Sequence, residues 1–416
     1  MKILISAYAS EPGCGSEYGV GWMVPTKMAR KYPEHDIYVL TRSRCKEKIE
    51  SALKDIGLKN LHFLFYDIPR YLFYKNEMKS NWGEQLNYLW WQLLVKKYVK
   101  KINNTYHFDV FHHLTFNQYR TPSPGFFLNI SFVMGPIGGA ELINDVFLQD
   151  LEQHTLKKEN IRKSGKDLRV FGWWAKRKKN KKVILCSSKE NLTRLEPYKG
   201  NAEMRMMPAI AFDPIDFDGI GKGREDGTKD DVFHMIYAGK AFDWKGLHIF
   251  LKAAALAYAD DEKYKITLVG IRFEEEQKRV NGWISELKLK NHVELVPFIQ
   301  RSDLLKMLSL CDLSVYPAFR DSGSMSVLEA SALGCPSICF NAGGQDAFPD
   351  DTLVKIEIGE TYDETLQMFS NRLRWAFDNR EELKRIGEFS RSWVTENLTW
   401  EKKVDDYIEI YKELIG

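Results

Sequence analysis

Short apolar runs alternate with amphipathic stretches along nearly the whole chain, and this alternation limits the fold more than any other feature. KILISAY, at the start, is a buried-strand run. The turn-rich EPGCGSEYGVG follows it, then the helical VGWMVPTKMARKY. DIYVLTR, the helical RCKEKIESALKDIG and LHFLFY continue the series. A β-α-β-α-β order of this kind implies a parallel sheet with helices on both faces. NYLWWQLLVKKYVKKIN reads as a further helix, and DVFHHLTF, ISFVMGPIGG and KVILCSS as further strands.

Near residue 208 the pattern breaks. MMPAIAFDPIDFDGIGKGREDGTKDD is rich in Pro, Gly and charge, as linkers are. The alternation then restarts, with FHMIYAG, YKITLVG, VELVPF, DLSVYPAF and PSICFN as strands separated by helical stretches. The chain is thus expected to be α/β, with two doubly wound Rossmann-like domains at 1–210 and 211–395. TWEKKVDDYIEIYKELIG has apolar residues at helical spacing and forms a closing helix within 396–416. Ligands of open α/β sheets sit outside the carboxyl ends of the strands. Two such sheets facing each other across a central cleft place the informative loops after strands.

Composition supports folded domains. Hydrophobic residues make up 44% and aromatic residues 13% of the 416, enough for two cores. Cys14, Cys45, Cys186, Cys311, Cys335 and Cys339 are scattered without a C-x-x-C pair. That pattern argues against a disulfide framework or a structural zinc site and for a reducing cytoplasm. The opening apolar run is too short for a signal peptide and ends at Glu11 and Pro12. No run approaches the roughly 18 apolar residues of a membrane span.

Three loops carry chemistry. GCGSEYG at 13–19 follows the first strand and precedes a helix, where backbone N–H groups can approach an anion. A tight strand-to-helix turn is the plainer reading. A nicotinamide-dinucleotide site would need a differently spaced third glycine and an acid at the tip of the second strand. VLTRSR has no such acid, which argues against a dehydrogenase. YAGKAFDWKG at 237–246 sets Lys240 and Lys245 beside a helix start, an arrangement suited to a diphosphate. DSGSMSVLE at 321–329 sets Asp321 before the loop amides of Gly323, Ser324 and Met325, with Glu329 about one turn into a helix. The loop amides suit phosphate oxygens, and Glu329 suits a pair of vicinal hydroxyls. Ser326 and Glu329 also fit a capping box, in which case Glu329 only caps its helix.

Together these loops resemble those of the retaining GT-B glycosyltransferases of family 4. That family's signature is a carboxylate, seven residues and then Glu, preceded by a basic pair in a loop. Asp321 and Glu329 occupy the acidic positions, and Lys240 and Lys245 the basic ones. GCGSE at 13–17, GPIGGAE at 135–141 and GGQD at 343–346 are also similar to family loops. The chain departs from the commoner pattern in having Asp321 for Glu, Lys240 for Arg and Ser322-Gly323-Ser324 for G-F-G.

The resemblance implies a nucleoside-diphosphate sugar as donor substrate. Glu329 would bind its ribose, Lys240, Lys245 and the amides near Gly323, Ser324 and Met325 its diphosphate, and Asp321 its sugar. Gly15 would approach the phosphates from the first domain. Gly138, Gly139 and Glu141 would lie on the acceptor side. Many relatives carry H-x-H at the strand end where this chain has His112 and His113. His113 is the expected catalytic one, and a packed structural histidine is the alternative for either. The closing helix would pack back toward the N-terminal domain. The implied reaction transfers a hexosyl-type sugar to an acceptor hydroxyl, with retention, in cell-surface polysaccharide or lipid-linked glycan synthesis. No cofactor is implied, and no acidic pair after a strand calls for a divalent metal. A nucleotide-sugar epimerase of the same fold and a non-catalytic scaffold in polysaccharide assembly remain alternatives.

Charge is distributed unevenly. Residues 1–210 hold 34 Lys and Arg against 20 Asp and Glu, and the remainder reverses the balance. Trp90 and Trp91 stand near Lys96, Lys97, Lys100 and Lys101, and Trp173 and Trp174 near six basic residues within 176–182. Tryptophan beside lysine clusters suits an anionic membrane surface. A core aromatic edge under a solvated face and a nucleic-acid patch are the alternatives, but no nucleic-acid module accompanies the charge. The expected location is cytoplasmic, peripheral to the inner face of the membrane, with a lipid-linked or polysaccharide acceptor.

Overall fold

A computed structural model of the chain describes residues 1–69, 72, 81–220, 231–259 and 263–416. The later part of the linker expected after residue 208, residues 221–230, lies outside them. The chain forms two compact units. The first comprises Met1–Ala140, Gly165–Ala209 and Trp400–Gly416; the second comprises Glu141–Ser164 and Ile210–Thr399.

The first unit holds seven strands: β1 (Lys2–Ser6), β2 (Asp36–Thr41), β3 (Leu61–Phe65), β4 (Val110–His113), β5 (Ser131–Ile137), β6 (Lys182–Cys186) and β7 (Glu203–Met206). They lie in the order β3-β2-β1-β4-β5-β6-β7, and every pair is parallel. Ile3 in β1 aligns with Ile37 on one side and Val110 on the other. Four of the five β1 residues are buried, as helices on both faces require. The second unit holds β8 (Phe233–Ala238), β9 (Tyr264–Val269), β10 (Val293–Val296), β11 (Leu313–Tyr316), β12 (Ser337–Phe340) and β13 (Val354–Ile356). Their order is β10-β9-β8-β11-β12-β13, again all parallel. Each sheet reverses direction of growth once, between β1 and β4 in the first and between β8 and β11 in the second. Crevices at such reversals are where doubly wound folds bind ligands.

One feature departs from the expected organisation, and the closing helix follows it. Glu141–Ser164, placed within the first domain by sequence, folds with the second unit. Ile143 and Phe147 explain why, because both are buried in that unit's core. The Phe147 ring stacks on Phe319 at 4.0 Å and 8°. The last helix begins at Trp400, after a second-unit helix at Arg380–Asn397. That last helix, Trp400–Ile415, belongs to the first unit, where it buries Val404, Tyr407, Ile408 and Tyr411 along one face.

The two tryptophan pairs split. Trp91 and Trp174 are core residues, and the Trp91 indole donates to the Tyr66 carbonyl at 2.9 Å. Trp173 is 55% exposed, with the Arg177 guanidinium 3.8 Å from the centre of its ring. Along the helix Lys166–Ala175 and just beyond it, the exposed residues are Lys166, Arg169, Val170, Trp173 and the run Lys176 to Lys179. Lys182 is not among them. Its buried ammonium donates to the Lys178 carbonyl at 2.8 Å and to Asn201 Oδ1 at 2.6 Å. Among the described residues, no helix is long and apolar enough to cross a membrane.

Candidate active site

In the second unit, the loops after β8 and β11 lie on either side of the sheet reversal; Lys240, Lys245, Asp321, Gly323 and Ser324 sit on them, and Met325 and Glu329 on the helix that follows. The first loop leaves β8 at Gly239 and ends at Gly246, which starts the helix Leu247–Ala257. The buried Tyr237 hydroxyl donates to the Lys240 carbonyl at 2.7 Å. Gly246 has φ +67°, and a Cβ there would lie 1.9 Å from the Pro317 carbonyl oxygen. Only glycine allows the two loops to come this close. The Phe319 N–H donates to the Trp244 carbonyl at 2.9 Å and ties the loops together.

Lys245 reaches across this junction. Its ammonium donates to the Tyr316 hydroxyl at 2.9 Å and forms an ion pair with Asp321. The Tyr316 hydroxyl donates to the same Asp321 oxygen, Oδ2. The other oxygen accepts the Gly323 N–H at 3.2 Å. The Asp321 backbone is held as well, because its carbonyl accepts the Gly344 N–H at 2.7 Å. Gly343, at φ +65°, comes so close that a Cβ would sit 2.4 Å from that carbonyl. Burial and the nearby Asp321 carboxylate push the Tyr316 phenol well above its ordinary range, so it stays a donor. Lys240 is exposed, its ammonium 5.3 Å from the centre of the Phe242 ring.

The helix Met325–Ala332 follows, with Ser324 at its cap position and no side-chain cap bond. Of the three loop amides expected to meet phosphate, Gly323 already donates to Asp321 and Met325 donates to the Gly323 carbonyl at 3.2 Å. Ser324 remains from that set, together with the first-turn amides of Ser326 and Val327, which have no intrahelical acceptor at a helix start.

The capping box does not form. Ser326 lies inside the helix, and Glu329 accepts from Arg301 Nε at 2.8 Å. Arg301 Nη1 donates to Asp216 Oδ2 at 3.0 Å. Glu329 is only 8% exposed on a helix whose residues from Val327 to Ala332 are all buried, so its carboxylate is held firmly. Burial raises its pKa, and the Arg301 guanidinium opposes the rise.

The remaining candidates lie elsewhere. In the first unit, Gly15 starts the helix Ser16–Lys31, and a Cβ there would meet nothing within 4 Å. The fold itself therefore does not demand glycine at that position. Gly138 and Gly139 follow β5, Gly138 bridging to Gln118 and Gly139 at φ +90°. Glu141, almost fully buried, opens the segment that folds with the second unit.

His112 and His113 are both fully buried and face opposite sides of β4. His112 bonds the Tyr411 hydroxyl and the Gly135 carbonyl. His113 Nε2 lies 3.1 Å from both the Tyr88 hydroxyl and the Thr115 carbonyl. Burial pulls their pKa values down to about 4 and about 3, so both rings are neutral near pH 7. Both rings are packed as the structural alternative expects, and His113 Nδ1 has no hydrogen-bond partner among the described residues. Sequence reasoning also missed Tyr316, Tyr237 and Arg301. Tyr316 ends a strand, and Tyr237 nearly does, at the reversal point, a signal available in hindsight. Arg301 gave none. Among the described residues, no group of three or more His, Cys, Asp or Glu is placed to hold a metal ion.

Comparisons with known proteins bear on the family and the fold. Residues 222–393 match the model of the family "Glycosyl transferases group 1". A D-inositol 3-phosphate glycosyltransferase of Paenarthrobacter aurescens is 23% identical over 192 residues, 46% of each chain. The match thus spans about half the length of that curated relative. Among solved structures, sucrose-phosphate synthase from Thermosynechococcus elongatus superposes with a TM-score of 0.64 at 16% identity, covering 99% of this chain and 98% of that one. The Anabaena protein HepE, solved with UDP and glucose, superposes with a TM-score of 0.59 at 15% identity, covering 98% and 99%. The solved neighbours show the two-domain GT-B fold for this chain, and residues 222–393, within its second unit, are similar to the group 1 glycosyltransferases.

Proposed function

We propose that this protein transfers a sugar from a nucleoside-diphosphate sugar to an acceptor hydroxyl, with retention, as a family 4 enzyme of cell-surface polysaccharide or lipid-linked glycan synthesis. The observation that carries the proposal is the meeting of Lys245, Tyr316 and Asp321 on two loops at the sheet reversal, with Glu329 held by Arg301 on the helix that follows. HepE, of the same fold, was solved with UDP and glucose, which supports the choice of donor class.

Negative charge grows on the diphosphate as it leaves. Lys245, Lys240 and the first-turn amides of the helix Met325–Ala332 stabilise that charge, usually the largest catalytic term. Lys245 pairs with Asp321. A bound diphosphate competes for the ammonium and frees Asp321 for the sugar hydroxyls. Glu329, anchored on one oxygen by Arg301, presents its carboxylate to the ribose. Gly15 belongs to the proposal too: a side chain there costs the fold nothing and should cost donor affinity. Gly138, Gly139 and Glu141 are assigned to the acceptor side. Because cations and amides take the charge, the reaction needs no divalent metal, and EDTA should leave turnover unchanged.

The exposed cationic stripe around Trp173 supports peripheral docking on an anionic membrane surface, where a lipid-linked acceptor would be met.

The test of the transfer reading is Glu329→Gln. The substitution keeps size and removes the charge that Arg301 and the ribose share. It should weaken sugar-nucleotide binding roughly tenfold or more, as loss of a charged hydrogen bond does. Unchanged donor affinity and turnover would return Glu329 to a purely structural role and remove the ribose assignment.

A further inference from the structure

We infer that Glu141–Ser164 is a positioning strut for the donor site, fixing the acidic loop through Glu159 and the lysine loop through Glu152. The inference rests on the proposed donor role of those loops. The segment lies in sequence between β5 and β6 of the first sheet, yet it folds with the second unit.

The first fixing point is a fully buried carboxylate. Glu159 Oε1 accepts the Ile143 N–H at 2.8 Å and so closes the segment on itself. Glu159 Oε2 accepts from two guanidinium groups, Arg162 and Arg320, each at 2.5 Å. Arg320 directly precedes Asp321. One residue earlier, Phe319 is stacked on Phe147 of the same segment. The residues leading into the acidic loop are thus held in sequence: Phe319 by the strut's ring, Arg320 by its carboxylate and Asp321 by Lys245 and Tyr316.

The second fixing point acts on the other loop. The Glu152 N–H donates to Asp243 Oδ2 at 2.8 Å. The Glu152 carboxylate pairs with Arg279, whose Nη2 donates to the Ala241 carbonyl. Ala241 and Asp243 both lie between Lys240 and Lys245. A single segment therefore grips each donor loop by directional, charged bonds. Apolar packing alone would hold a helix down at least as well as a buried ion pair does. What the ion pairs add is a fixed direction for the chain entering Asp321 and Lys245.

Hydrogen exchange on the full chain without ligand tests the strut directly. The Phe319, Gly323, Lys245 and Gly344 amides are hydrogen-bonded within these loops and report on them. In Glu159→Gln, peptides covering 239–246 and 317–325 should exchange about tenfold faster or more, with β8, β9 and β11 unchanged. Faster exchange confined to 141–164, or spread over the whole second unit, would overturn the strut. A second arm titrates UDP, GDP and ADP into wild type, Glu159→Gln, Arg320→Met and Arg320→Lys. The bound nucleotide should weaken about tenfold for Glu159→Gln and Arg320→Met and recover for Arg320→Lys, which keeps a cation on Glu159. Equal affinity in all four proteins would overturn positioning. If wild type binds no nucleotide, the donor reading fails, and the exchange arm still decides whether the segment braces the loops.

Discussion

Asp321 is held at both carboxylate oxygens and at its carbonyl. One carboxylate oxygen takes Lys245 and Tyr316, the other takes an amide, and the carbonyl takes Gly344. Removing the Tyr316 hydroxyl with Tyr316→Phe should cost about 1 kcal/mol of stability, the usual net worth of one hydrogen bond, measurable by urea unfolding. Asp321→Asn should leave the fold intact and lower turnover on the order of 10²-fold, as loss of one transition-state contact does. Elsewhere, His112 makes stability depend on acid pH. Its ring is neutral in the fold down to about pH 4, whereas an unfolded chain protonates near 6.5. Stability is therefore complete above pH 6.5 and is lost as the pH falls toward 4, by about 3 kcal/mol for this ring. His112→Gln should flatten urea midpoints measured between pH 6.5 and 4.5; an unaltered slope would assign the acid loss to other groups. Lys240, Lys245, Asp321 and Glu329 stood out in sequence only in combination, because each stretch alone has a plainer reading and together they resemble one family's loops. Tyr316 did not, because it reads as one more residue of a buried strand, and Arg301 did not, because its partners Glu329 and Asp216 lie 28 and 85 residues away.

At the scale of elements, the alternation of strands and helices was readable wherever a strand was buried on both faces. β7 and β13 were not read. β7 is a half-exposed edge strand carrying Glu203 and Arg205, and β13 has only three residues, too few to show a period. The segment Glu141–Ser164 was misassigned for a different reason: nothing local says which core Phe147 will enter. The lysine loop makes the sharpest prediction at this scale. Gly246→Ala must relieve both a positive φ and a contact with the Pro317 carbonyl. It should destabilise the second unit by at least about 2 kcal/mol and displace Lys245, so denaturation midpoint and donor affinity should fall together. A fall in stability with donor affinity intact would separate the glycine from the site.

Across the whole molecule, the fold and the family match agree, and charge adds a second layer. Trp91 and Trp174 turned out to be core and Trp90 is half-buried, so of the four tryptophans Trp173 is the exposed one, beside Val170 and among Lys166, Arg169 and the cations from 176 to 181. Neutralising Lys176, Lys178, Lys179 and Lys181 should reduce co-sedimentation with phosphatidylserine vesicles, more steeply at low salt; unaltered binding would rule this stripe out as the anchor. The claim on which the account turns is that Lys245 holds the donor diphosphate. Calorimetric titration of the UDP, GDP and ADP sugars into wild type and Lys245→Ala tests it most directly. The account predicts one nucleotide class bound by wild type and a tenfold to hundredfold loss in the variant; equal binding by the two proteins, or none by wild type, would contradict it.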